Sequence, residues 1–213
     1  MIQPYSLAMS KEELANSLTH GVGILLGLIA IPFLGAKAII VGNLPAIIGA
    51  GLFGLGFMMV FGFSTLYHSI VQPDIKQVFR ILDHIAIYFM IAGSYTPFIL
   101  LYMPSTSGYS ILAAQWVLTL AGTVFKIFLI GRYKWFSTIV YLAMGWMIVL
   151  VIVPFINSIP ALSLWLIVSG GILYTVGVVF YKWYSLPYHH AIWHVFVLAA
   201  SICHFIAVWI AVK

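Results

Sequence analysis

His190 and His194 stand four residues apart in the run Tyr188-His189-His190-Ala191-Ile192-Trp193-His194. On a helix that spacing places two imidazoles one above the other on the same face, where they can share one metal ion. A third neutral imidazole with one position left open would make the ligand set of a catalytic zinc centre, whereas structural centres are usually closed by four protein ligands. His68 is the candidate third ligand. Ser64 lies four residues before it, on the same helical face and one turn away. Asp83 is the nearest carboxylate in depth. Zinc held by three imidazoles brings the pKa of a bound water to about 7 and polarises a carbonyl, which is the chemistry of hydrolysis. Asp83 then reads as the carboxylate that orients or deprotonates the water, and Ser64 as a hydroxyl for the water, a ligand or a substrate carbonyl. The one cysteine, Cys203, lies in an apolar run, so no internal disulfide forms and thiolate-rich zinc sites are excluded.

Each residue also has a plainer reading. An HxxxH pair can be interfacial packing, His68 an interfacial imidazole, Ser64 a back-bond to its own helix, and Asp83 the partner of Arg80 three residues earlier. What decides is whether the chain brings the group to one place. With 64% hydrophobic and 6% charged residues and a mean hydropathy of +1.15, the chain is a membrane protein. Its apolar runs are long enough to cross about 30 Å of hydrocarbon as helices, and they show none of the alternation of a barrel. Turn residues and charges mark off seven spans, at about 18–41, 45–70, 79–102, 109–130, 136–155, 160–181 and 188–212. The expected fold is all-α, a single seven-helix transmembrane domain over residues 1–213 with a short amino-terminal segment, 1–17. That segment shows no removable signal peptide. Short connections make consecutive spans antiparallel neighbours.

Counting alternate faces, Lys11, Lys76, Arg80, Lys126, Arg132, Lys134 and Lys182 share the face of the amino terminus, and Lys37 and Lys213 lie opposite, a ratio of 7 to 2. The positive-inside rule then makes the amino terminus cytoplasmic and the carboxyl terminus external, in a cell membrane. Tyr133, Trp135, Tyr181, Trp183, Tyr184 and Tyr188 cluster at the same face. Lys126, inside the fourth span, is expected to snorkel there. This topology brings His68, Asp83, His190 and His194 to one depth from three helices. Intramembrane ionisable groups meeting in this way favour a metal site. The net charge of +5 needs no nucleic-acid partner, since basic residues beside spans are topological.

The remaining marks concern packing. Gly23 and Gly27 form a GxxxG pair, and Gly42, Ala46, Ala50 and Gly54 a small-residue stripe. Pro32, Pro97 and Pro154 should kink or end their helices, with Gly93-Ser94-Tyr95-Thr96-Pro97 the expected break. His189 and His84 should be turned away from the cluster, and His204 lies about 15 Å deeper. His20, with Asn16 nearby, is a candidate to support the ligands from behind. No internal repeat is seen, which speaks against an inverted-repeat transporter.

Ser64-x-x-x-His68, Asp83 and His190-x-x-x-His194 on seven spans resemble the progestin and adipoQ receptor family. The blocks Asn16-Ser17-Leu18-Thr19-His20-Gly21, Ala92-Gly93-Ser94-Tyr95-Thr96-Pro97 and His190-Ala191-Ile192-Trp193-His194 resemble its bacterial branch, the hemolysin III proteins. The resemblance covers nearly the whole chain. It implies Zn²⁺ on His68, His190 and His194, with Asp83 and Ser64 close by, and it extends to alkaline ceramidases, which hydrolyse a lipid amide. The expectation is a zinc-dependent lipid hydrolase serving membrane lipid homeostasis, with membrane lipids as partners. A zinc-stabilised sensor or receptor without turnover is the alternative. A pore-forming hemolysin is the third reading, for which no span offers a regular polar stripe.

Overall fold

The computed structural model describes residues 9–213. Among them are eight α-helices, α1 (Lys11–Val41), α2 (Leu44–Ser69), α3 (Pro73–Tyr102), α4 (Thr106–Leu129), α5 (Lys134–Gly145), α6 (Ile152–Ser158), α7 (Ala161–Lys182) and α8 (His189–Ala211), with a 3₁₀ turn, Met147–Val151, between α5 and α6. No strand occurs among the described residues. Seven segments are long and apolar enough to cross a membrane, with α5, the 3₁₀ turn and α6 sharing the fifth span, Trp135–Ser158. The chain is a multi-pass membrane protein.

α1 begins at Lys11, so the second half of the expected amino-terminal segment is helix; residues 1–8 of that segment lie outside the described residues. Ser10 caps it, its Oγ accepting from the Glu13 N–H at 3.1 Å, and Glu12 and Glu13 sit in the first turn where the helix dipole favours negative charge. Gly42, with φ of 75°, closes the far end through its N–H to Ala38 O. It is therefore a left-handed cap rather than the head of a helical stripe. Ala46, Ala50 and Gly54 do face inward on α2. Side chains at Gly23 and Gly27 would collide with Phe61, and with Met58 and Phe57, so the GxxxG pair of α1 is where α2 lies against it.

The segment 93–97 is not a break. α3 runs through Pro97, as α1 runs through Pro32. Its small residues instead let α2 approach: a Cβ on Gly93 would stand 2.6 Å from Leu52 O, and one on Gly49 would stand 2.7 Å from Pro97 Cα. The break falls in the fifth span, just before Pro154 in the first turn of α6. Tyr95 secures it, its hydroxyl lying 2.9 Å from Met144 O and 2.8 Å from Gly145 O and accepting from the Ile148 N–H at 3.0 Å. Gln115 Nε2 also donates to Met144 O, at 2.8 Å. Open backbone at membrane depth survives only where protein groups satisfy it, and Tyr95 and Gln115 do so here.

α1 packs against both α2 and α8, α3 joins α2 to α4, and α7 pairs with α8. Contact between α5 and α7 is sparse. A cavity of about 560 Å³ fills the space, lined by Glu12, Arg80 and Arg132 and also by Phe155, Leu164 and His204.

Candidate metal centre

His68, at 4% exposure, ends α2, while His190 and His194, at half-buried and 2% exposed positions, open α8. One ring nitrogen from each lies within 4.8 Å of the others, and the ring centroids are 5.1, 5.1 and 4.5 Å apart. Nitrogens bound tetrahedrally at 2.0–2.1 Å stand about 3.3 Å apart, so the rings would close on a shared ion by shifts of about an ångström.

α1 fixes two of the three rings from behind. His68 Nδ1 faces Glu13 Oε2 at 2.5 Å, with Asn16 Nδ2 at 3.4 Å. His194 Nδ1 faces Asn16 O at 3.1 Å and Thr19 Oγ1 at 3.3 Å. A carboxylate and a carbonyl only accept, so both Nδ1 atoms carry the proton and each Nε2 keeps its lone pair. His68 Nε2 is buried with no partner among the described residues. Such an orphan needs a ligand, and a histidine held through Nδ1 by an oxygen acceptor is the usual arrangement behind a metal-bound imidazole. The donor set therefore fits a divalent ion such as zinc.

Glu13 is in turn held by Lys76, whose Nζ lies 3.0 Å from Glu13 Oε1 and also donates to Tyr67 O and Ile70 O at the end of α2. Its neighbour Glu12 accepts from the Tyr188 N–H at 3.2 Å, at the start of α8. Ser17 Oγ lies 2.6 Å from Ser69 Oγ. Thus the first turns of α1 clamp the end of α2 to the start of α8. The sequence alone gives Glu13, Thr19 and Lys76 no role at the cluster. The readable signal was the spacing of Glu13, Asn16 and His20, three and seven residues along one helical face.

Ser64 is 1% exposed, one turn from His68, with its hydroxyl directed to the Asp83 carboxylate. Asp83 lines the cavity with the three histidines and lies within Coulombic range of His68. Its near neighbour is His84, with Oδ2 3.6 Å from His84 Nδ1, rather than the Arg80 guanidinium. His84 lines the cavity too, contrary to the outward direction expected for it, because its Nδ1–H is drawn back to Arg80 O at 2.8 Å. His189 likewise borders the cavity, with its Nδ1 3.2 Å from Phe180 O. His20 stacks on His194 with ring centroids 3.6 Å apart, its nitrogens unpartnered among the described residues. His204 stays apart in the deep cavity, packed against Gly170 and Tyr174.

Fold and site together define a seven-helix membrane protein with a buried three-histidine cluster at one end of the bundle. The family model described as Haemolysin-III related matches residues 9–205, and the chain belongs to that family. It is 44% identical over 198 residues to "Hemolysin-3 homolog" of Bacillus subtilis (strain 168), covering 93% of each chain. It is 42% identical to "Hemolysin-3" of Bacillus cereus, covering 93% of this chain and 90% of that one. More distantly, it is 31% identical to the human "Monocyte to macrophage differentiation factor" over 76% of this chain and 69% of that protein.

Proposed function

We propose that His68, His190 and His194 hold zinc and that the protein hydrolyses an amide or ester bond of a membrane lipid, with its amino-terminal face in the cytoplasm. The observation that carries this reading is the set of three converging imidazoles, two with their Nδ1 protons already taken, at the head of a cavity that continues into the apolar bundle. Arg80 and Phe98, both on its wall, are separated by eighteen residues of α3, about 27 Å, so a lipid chain can lie along it. Zinc at such a centre supplies Lewis acidity that polarises a carbonyl and activates water. Asp83 accepts the proton released by the attacking water, and the Ser64 hydroxyl donates to oxygen as negative charge develops there. Glu13 and Asn16 keep the rings of His68 and His194 in register. A role in membrane lipid homeostasis follows from this activity.

The test combines metal analysis of the purified protein with lipid profiling of a deletion strain. Asp83→Asn is expected to retain zinc while lowering turnover by about 10²–10⁴-fold, the usual worth of a general base. Full turnover in that variant would remove Asp83 from the mechanism. Zinc retained with no lipid product from the native protein would make the centre that of a sensor. Bilayer conductance surviving loss of all three histidines would favour a pore-forming role instead.

A further inference from the structure

The same cavity carries a basic group that the proposed hydrolysis does not use. Lys126, on α4, is 3% exposed and does not snorkel outward; it turns into the bundle, where its Nζ donates to Ser137 Oγ at 2.7 Å and lies 5.6 Å from the Tyr141 ring centre. Arg80 is within Coulombic range of it and lies over Gly131, where a Cβ would be 3.1 Å from the guanidinium. Arg80, Lys126, Arg132 and Ser137 all line the cavity. The close charged-group contacts of Glu13 and Asp83 among the described residues are with His68, Lys76 and His84, so neither Arg80 nor Lys126 meets a carboxylate. A buried ammonium whose partner is a hydroxyl carries a desolvation cost that an anion would offset. Topological bias explains basic residues that face water at a membrane surface, but it gives no reason for one turned inward.

We propose that Arg80, Lys126 and Ser137, with Arg132 at the rim, form a subsite for the phosphate of an anionic lipid whose chain occupies the apolar length of the cavity. Guanidinium and ammonium with a hydroxyl donor match phosphate oxygens. His84, which touches Asp83, is also within Coulombic range of Lys126, so head group and histidine cluster are neighbours. The subsite deepens the hydrolase reading by naming an anionic substrate class, yet it concerns binding and stands if no bond is cleaved.

The experiment measures binding of monododecyl phosphate and of inorganic phosphate to the full-length protein in a neutral maltoside detergent, by calorimetry and thermal unfolding. Monododecyl phosphate is expected to bind at least about tenfold more tightly than inorganic phosphate and to raise the unfolding midpoint, with Lys126→Met and Arg80→Gln each weakening it by about tenfold or more. Arg80 is only part-buried, so its variant tests the subsite even if Lys126→Met fails to fold. Chelator-treated native protein is expected to bind equally well, because the anion rests on side chains. Binding lost on chelation would assign the phosphate to the metal and overturn the subsite. Affinity unchanged in both variants would overturn it as well, and equal affinity for inorganic phosphate would overturn the lipid assignment.

Discussion

On one side of the cavity, α1, α2 and α8 are tied by a dense polar network: Glu13 to His68 and Lys76, Asn16 to His194, and Glu12 to the Tyr188 N–H. On the other side, α5 and α6 form an interrupted span with little contact to α7, its open backbone held by Tyr95 and Gln115. The first side has redundant ties around a few rings, as a centre needs if ligand atoms are to stay within fractions of an ångström. The second lines the cavity largely with apolar side chains and a broken helix, as a space for a flexible guest needs. Fixed chemistry and yielding volume are thus assigned to different helices of one bundle.

That division can be broken by experiment. The largest expected effect is His194→Ala, which should abolish stoichiometric zinc in purified protein by elemental analysis while leaving lipid-phosphate binding intact; loss of both together would mean that the two sides are not separable. Glu13→Gln keeps a hydrogen-bonding group but removes the charge behind His68. It should weaken zinc by about 10–100-fold in a chelator competition, the usual effect of removing such a support. On the opposite side, Tyr95→Phe strips the groups at Met144, Gly145 and Ile148 of their shared partner and should cost about 1–3 kcal/mol of stability in a denaturation series, with zinc affinity unchanged. The smallest effect is expected from Glu12→Gln, whose bond to the start of α8 is exposed; a loss of about 0.5–1 kcal/mol, read by hydrogen exchange at Tyr188, would locate that tie in the frame rather than at the metal.

The spans were legible because a bilayer of fixed thickness demands long apolar runs, and the meeting of His68 with His190 and His194 was legible because span direction fixes depth. Asn16 and His20 were also readable, because they open the first span at the same membrane face as the cluster. Glu13 was hidden because polar first turns look like a flanking segment until a cap such as Ser10 shows that the helix has begun. Lys126 was misread because composition gives depth but not direction, and a lysine near a helix end can turn either way. The break was placed in the wrong helix for a related reason. Glycine and proline serve close approach as readily as interruption, and it is the neighbouring Leu52 carbonyl, not the sequence of residues 93–97, that decides between them.

Because His68 emerges with the second helix and His190 and His194 with the last, 122 residues of synthesis separate the first possible ligand from the others. At ribosomal speeds of about 5–20 residues per second that is a wait of roughly 6–24 s, during which the nascent bundle holds no more than one of the three rings. The three rings can therefore come together only after α8 has been made, and a chain truncated before that helix would lack two of them.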